Sequence, residues 1–166
     1  MPESSALHIR DVLDPRRVVL DVAGRSKREI LSRLVDTLGL THPAIDRSAL
    51  LETLLEREQT STTAIADGIA IPHGRHGSGE AVICLFGKSP GGVDFDSIDG
   101  GPTHLFFVLV SPESRPTLHL RWLAHFAVLL RDESFRTALE AAPTADAAIA
   151  EIETAERAHE SGKAKS

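Results

Sequence analysis

Cysteine is almost missing from this chain of 166 residues: Cys84 stands alone, so no internal disulfide can form and no cysteine pair offers a metal site. It lies in the apolar run at residues 81–86, where a buried, inert thiol is expected rather than a nucleophile. Positive charge is in short supply too. Against 24 acidic residues there are 18 basic ones, a formal net charge of -6, and no basic cluster, which argues against a nucleic-acid partner. No apolar stretch approaches the length of a membrane span, and the first 13 residues lack the basic start and apolar core of a signal peptide. A cytoplasmic protein with no membrane insertion is therefore expected. Catalytic signatures are missing as well: there is no Gly-x-Ser-x-Gly elbow, no His-Glu-x-x-His helix, and neither a Walker pattern nor a dinucleotide fingerprint around Gly91-Gly92. No internal repeat is visible.

What is present is enough apolar material for a core. With 42% apolar residues, the chain reads as a single domain over 1–166, its core over about 8–152 and a polar, disordered tail from about 156. Residues 18–22 read as a short strand. Ser26 then caps a helix with the stripe Ile30, Leu31, Leu34, Val35 and Leu38, which Gly39 should stop. Asp46 opens a second helix carrying Leu50, Leu51, Leu54 and Leu55 and ending near Arg57-Glu58. Three apolar runs follow at 69–71, 81–86 and 105–110, and these read as strands. Between the last two, residues 87–96 are rich in turn formers and read as a surface loop or small ribbon. The run at 105–110 does not alternate with polar residues, so both faces of its strand should be covered. Helices starting at Pro116, Asp132 and Thr144 are available for that, giving an α/β architecture with helices on both sides of a sheet.

Eight histidines occur, and most need no functional explanation. His8, His42 and His159 sit in polar or terminal segments and read as solvated; His104 opens a strand, half exposed; His125 is structural. His73 is different. The run at 69–71 ends in Pro72-His73-Gly74, which places an imidazole where a buried strand stops and the chain turns. His119 falls in the first turn of its helix, and its i+3, i+4 and i+7 neighbours are Trp122, Leu123 and Phe126. An imidazole on an apolar face needs a polar partner. It is either a satisfied core histidine or it faces another polar group, for which His73 is the candidate.

His73 and His76 could offer two metal ligands, but nothing completes such a site, so no metal and no cofactor are expected. The residue types near His73 in sequence suit phosphate: Arg57, Ser61, Thr62, Thr63 and Arg75. A neutral imidazole has a free lone pair and can accept a phosphoryl group, giving a P–N bond labile enough to pass it on. Such transfer requires positioning and charge stabilisation more than covalent machinery. Each of these residues taken singly reads equally well as a polar turn or a solvated helix end.

Taken together, Arg57-Glu58, Ser61-Thr62-Thr63 and Gly68-Ile69-Ala70-Ile71-Pro72-His73-Gly74 resemble the active-site signature of the type-2 enzyme IIA domains of the bacterial phosphoenolpyruvate-dependent phosphotransferase system, the fructose, mannitol and nitrogen-regulatory branch. A second element, His119-Leu120 at the head of a late helix, completes it, and the likeness covers roughly residues 8–152. The resemblance implies a three-layer α/β sandwich with a mixed β-sheet and helices on both faces. It also implies a phosphocarrier, in which His73 takes a phosphoryl group from the histidine-containing phosphocarrier protein and passes it to a IIB domain or signals to a regulatory target protein. His119 carries over as the second site histidine, and Arg57 and Thr62 as its surroundings. Arg75 stands where several relatives have lysine or another residue. The chain reads as a IIA unit without fused partner domains, which leans toward the nitrogen-regulatory branch over a sugar-specific one.

Overall fold

The computed structural model describes residues 6–77 and 79–165. Two 3-10 turns, Ile9–Asp11 and Pro15–Arg17, lead into β1 (Val18–Val19). Then come α1 (Lys27–Asp36), the short α2 (Leu38–Thr41) and α3 (Arg47–Thr60). The central strands are β2 (Ala64–Ala66), β3 (Ile69–Ala70), β4 (His73–His76), β5 (Ile83–Val93) and β6 (Thr103–Pro112). The chain closes with α4 (Pro116–Leu129), α5 (Glu133–Ala141) and α6 (Ala145–Lys165). Ser26, Asp46 and Asp132 cap α1, α3 and α5 as expected, each side chain accepting a backbone N–H of the first turn.

The sheet runs β1-β5-β6-β3-β2, with β4 also paired to β6. It is mixed: β5 and β6 are antiparallel, while β3 and β4 both run parallel to β6. The unbroken apolar runs of the two long strands resolve into two cores once the pleat separates alternate side chains. Cys84, Phe86, Leu105, Phe107 and Leu109 face α4, α5 and α6. Ile83, Leu85, Phe106, Val108 and Val110 face α1, α2 and α3. The three layers inferred from the resemblance are therefore present. Cys84 is fully buried, and burial pushes its thiol up to about 12, which leaves it inert as expected.

Three expectations need correction. Of the two alternatives for residues 87–96, the surface loop gives way to the ribbon over 87–93: β5 continues through them to Val93, paired with β6. Gly87 belongs there because a Cβ would lie 2.7 Å from both Leu34 and Val22, so its absence lets α1 settle on the strand. Lys88, polar and yet buried, extends its ammonium to the carbonyls of Leu139, Glu140 and Ala142 at 3.1, 2.8 and 2.6 Å, closing the C-terminal end of α5. Gly39 does not stop the first helical stretch; the break is at Thr37, and Gly39 lies inside α2. From residue 156 the chain continues as α6 to Lys165. It is held by Glu156, whose buried carboxylate accepts Ile9 N at 3.1 Å through both oxygens and lies 2.6 Å from His125 Nε2. Ser166 lies outside the described residues. Finally, His42 and His159 are half-buried rather than solvated.

Candidate functional site

His73 is not at the end of its strand line but opens a new segment of it. β3 pairs with β6 at Leu105 and Phe106, and β4 resumes on the same edge of β6 at His73↔Leu109. Pro72 supplies the interruption: it has no N–H to give, yet its carbonyl still accepts Leu109 N at 2.9 Å. The register therefore delivers the His73 ring half-buried at the sheet surface, on the side of α3 and the head of α4.

Gly74 brings the next component. A Cβ there would meet Leu54 Cδ2 at 3.1 Å and Thr53 Cγ2 at 3.4 Å, so the missing side chain lets α3 lie directly on β4. Arg57, one turn beyond Thr53, then reaches the imidazole: its Nε donates to His73 Nε2 at 3.2 Å and its Nη1 to Ser61 O at 2.8 Å. The other ring nitrogen, Nδ1, lies 2.9 Å from Ile71 O. These partners assign the tautomer. A carbonyl can only accept and a guanidinium can only donate, so Nδ1 carries the proton and Nε2 presents its lone pair. Burial lowers the His73 pKa below the ordinary histidine value; the Ile71 carbonyl opposes this, and the charges of Arg57 and Arg75 reinforce it. The ring is neutral at pH 7.

His119 completes the pair. Pro116 starts α4, and His119 lies one turn in on the stripe of Trp122 and Phe126, as its spacing predicts. The ring is buried, 4% exposed, and its centroid is 5.5 Å from that of His73. Its partner is therefore double: it faces His73, and its Nδ1 is 2.7 Å from the hydroxyl of Ser111 on β6. Burial, with the charge of Arg75 and that of His73 once protonated beside it, pulls its pKa down to about 4. A stability prediction follows. In the unfolded chain this ring takes up a proton as pH falls through about 6.5, whereas in the folded protein it holds out to about 4. Over that window the unfolded state binds more protons, so stability falls as pH is lowered. Urea midpoints taken between pH 7 and 4.5 should decline, and His119→Gln should decline less steeply; equal slopes would contradict the assignment.

Thr53, Arg57, His73, Gly74, Arg75, His119, Leu120 and Leu123 line one open pocket of about 410 Å³. Ser61, Thr62 and Thr63 do not line it. The Thr62 hydroxyl donates to Phe95 O at 2.9 Å and accepts Ala64 N at 3.1 Å. The Thr63 hydroxyl donates to the buried Glu58 carboxylate, which also accepts Thr63 N and pairs with Lys27 Nζ at 2.9 Å. Ser61 contributes its carbonyl to Arg57 while exposed itself. These residues hold the loop that holds Arg57. Thr53 and Ser111 escaped the sequence reading: Thr53 reads as a polar helix position, and Ser111 as the end of an apolar run. His76 turns inward, its Nε2 3.0 Å from Ala81 O, and among the described residues no three histidine, cysteine or carboxylate side chains converge as metal ligands.

The arrangement is a neutral imidazole whose unprotonated Nε2 accepts from Arg57, flanked by two guanidinium groups and a second imidazole. Among the described residues no carboxylate lines the pocket, so it is suited to an anion. Known proteins share both chain and fold. The family described as "Phosphoenolpyruvate-dependent sugar phosphotransferase system, EIIA 2" matches residues 11–155. A nitrogen regulatory protein of Pseudomonas aeruginosa is 34% identical over 141 residues, 85% of this chain and 92% of that one. The fructose-specific EIIABC component of Bacillus subtilis is 34% identical over 143 residues, 86% of this chain, which spans only 22% of that longer protein. Nitrogen regulatory protein IIA-Ntr of Neisseria meningitidis superposes with a TM-score of 0.80 at 29% identity, over 87% of this chain and 98% of that one. The IIA mannitol enzyme of Escherichia coli, solved in complex with phosphorylated IIB, shares the fold at 17% identity, with a TM-score of 0.68 over 85% of this chain and 98% of that one. Sequence and fold thus agree, and the chain belongs to the EIIA 2 family of the phosphoenolpyruvate-dependent sugar phosphotransferase system, close to its nitrogen regulatory members.

Proposed function

We propose that this protein is a phosphocarrier with a phosphohistidine intermediate at Nε2 of His73, charged by the histidine-containing phosphocarrier protein and serving a regulatory role of the nitrogen branch. The observation that carries this is the tautomer of His73, with Nδ1–H on the Ile71 carbonyl and the Nε2 lone pair unprotonated and held by Arg57 Nε–H. In the transfer, that lone pair forms a P–N bond while the P–N bond of the donor phosphohistidine breaks and its electron pair returns to the donor ring. The proton stays on Nδ1 and is donated to Ile71 O, which supports the charge the ring acquires. The Arg57 Nε–H, released from Nε2, turns to the phosphoryl oxygens, with Arg75 beside it. Running the step backward delivers the group to an acceptor. A IIB domain is one, as in the mannitol pair, and a regulatory target that reads the added charge without taking the group is the other.

The regulatory reading is supported by the nitrogen regulatory relatives, which this chain matches along nearly their whole length. The fructose-specific relative supports the alternative, a sugar-specific IIA passing phosphate to a separate IIB. Incubation with phosphoenolpyruvate, enzyme I and the carrier protein tests the common core. One acid-labile phosphate per chain, on Nε2 of His73 by ³¹P and ¹⁵N NMR, is the expected result. No phosphate, or phosphate on Nδ1, overturns it. Addition of IIB then separates the branches: a sugar-type acceptor drains the label, and a regulatory target binds without draining it.

A further inference from the structure

Ser111 lies on β6 with no exposed surface, and its hydroxyl is 2.7 Å from Nδ1 of His119. A hydroxyl can give or take a hydrogen bond, and so can a neutral imidazole, so the distance alone allows two arrangements. They differ in what each leaves over. If Nδ1 carried the proton and donated, the serine O–H would point into a closed interior without an acceptor, because among the described residues Nδ1 is the sole partner of that hydroxyl. A buried donor left unmade disfavours that arrangement by roughly fivefold to a hundredfold. In the other arrangement the O–H donates to Nδ1, both groups are satisfied, and the one ring proton sits on Nε2.

We infer that Ser111 is a positioning residue of the phosphoryl site: its hydroxyl donates to Nδ1 of His119, fixes the ring as the Nε2–H tautomer, and so makes His119 a hydrogen-bond donor toward a phosphoryl group on His73. This rests on the reading of His73 as the acceptor. The two rings line the same pocket in opposite states, His73 with an unprotonated Nε2 that accepts from Arg57 and His119 with a protonated one. One ring offers the electron pair that binds phosphorus. The other offers a proton to the oxygens, without a positive charge of its own to be desolvated. Because burial keeps His119 neutral at ordinary pH, the placement of its single proton decides between donor and acceptor.

The tautomer is read directly from long-range ¹H–¹⁵N correlation spectra of the unphosphorylated, ¹⁵N-labelled protein at neutral pH. The expected result for His119 is a protonated Nε2 and an unprotonated Nδ1; a protonated Nδ1 in the wild type overturns the inference without any variant. Ser111→Ala should mix the tautomers and lower kcat for phosphoryl uptake from the phosphorylated carrier by about fivefold to tenfold, the worth of one neutral hydrogen bond, with KM unchanged. Ser111→Thr, which keeps the hydroxyl, should restore both readouts. An unaltered Nε2–H tautomer in Ser111→Ala would count against Ser111. Because the tautomer is measured without phosphate, failure of His73 to take phosphate would overturn the acceptor reading separately and leave the spectra to decide the hold of Ser111 on the ring.

Discussion

His73→Ala should gain no acid-labile phosphate from the carrier protein, although a second imidazole stands 5.5 Å away between ring centroids. The neighbour cannot substitute. For His119 to accept, it would need a lone pair facing the pocket, but its Nδ1 is occupied by Ser111 and its ring is buried. Arg57 Nε, which points at His73 Nε2, would then have no imidazole to orient. The loss should be complete rather than partial, because the substitution removes the proposed nucleophile and not a stabilising contact. The fold should tolerate it. His73 is half-buried, and the pairing of β4 with β6 uses its backbone, so the circular dichroism spectrum and urea midpoint should stay close to those of the wild type. Residual label on His119, detected by mass spectrometry of the variant, would contradict this account.

How much of this was legible in the residues differs by element. The helices with capping serines and aspartates were readable because their signals are local: a cap, a stripe and a stop lie within a few residues of one another. The three apolar runs were readable as strands, but their partition between two cores follows from the pleat and from which helices pack where. β4 carries no strand signal, since His-Gly-Arg-His is polar and contains glycine; its extended form comes from the edge of β6. β2 was missed although a signal was present: Asp67-Gly68, both at positive φ, joins it to β3 as a tight hairpin. The second half of β5 was concealed by turn formers that serve close packing, as at Gly87. The same contrast runs through the site. His73, His119, Arg57 and Arg75 are brought together as expected, because their chemistry and spacing were visible in sequence. The hydroxyls at 61–63 were assigned by residue type, and the structure commits those of Thr62 and Thr63 to the loop itself. Ser111, eight positions before His119 and silent in sequence, lies against it in space.

Arg57→Ala should slow phosphoryl uptake by about 10²- to 10³-fold while leaving the fold intact, the scale on which loss of one preorganised donor is felt at a developing anion. The guanidinium has two duties at once. Its Nη1 holds Ser61 O at 2.8 Å, fixing the loop, and its Nε holds His73 Nε2 at 3.2 Å, along the line by which phosphorus would approach in the proposed transfer. Because both contacts come from one rigid fork, Arg57→Lys should recover only part of the rate: an ammonium keeps the charge but cannot span two acceptors in fixed geometry. A second readout separates this role from a general loss of stability. The charge of Arg57 is one of the influences that lower the His73 pKa, so its removal lets that pKa rise. On the proposed reading the acceptor is the neutral ring, and the rate then falls as pH is lowered through the His73 pKa. In Arg57→Ala that fall should begin at a higher pH than in the wild type, and in Arg57→Lys at a nearly unchanged one. Single-turnover uptake from the phosphorylated carrier, followed from pH 8 to 5 in the three proteins, gives both numbers. An Arg57→Ala protein with wild-type rate and an unshifted profile would mean that the guanidinium only braces the loop and that the pocket stabilises the phosphoryl group through Arg75 and His119 alone.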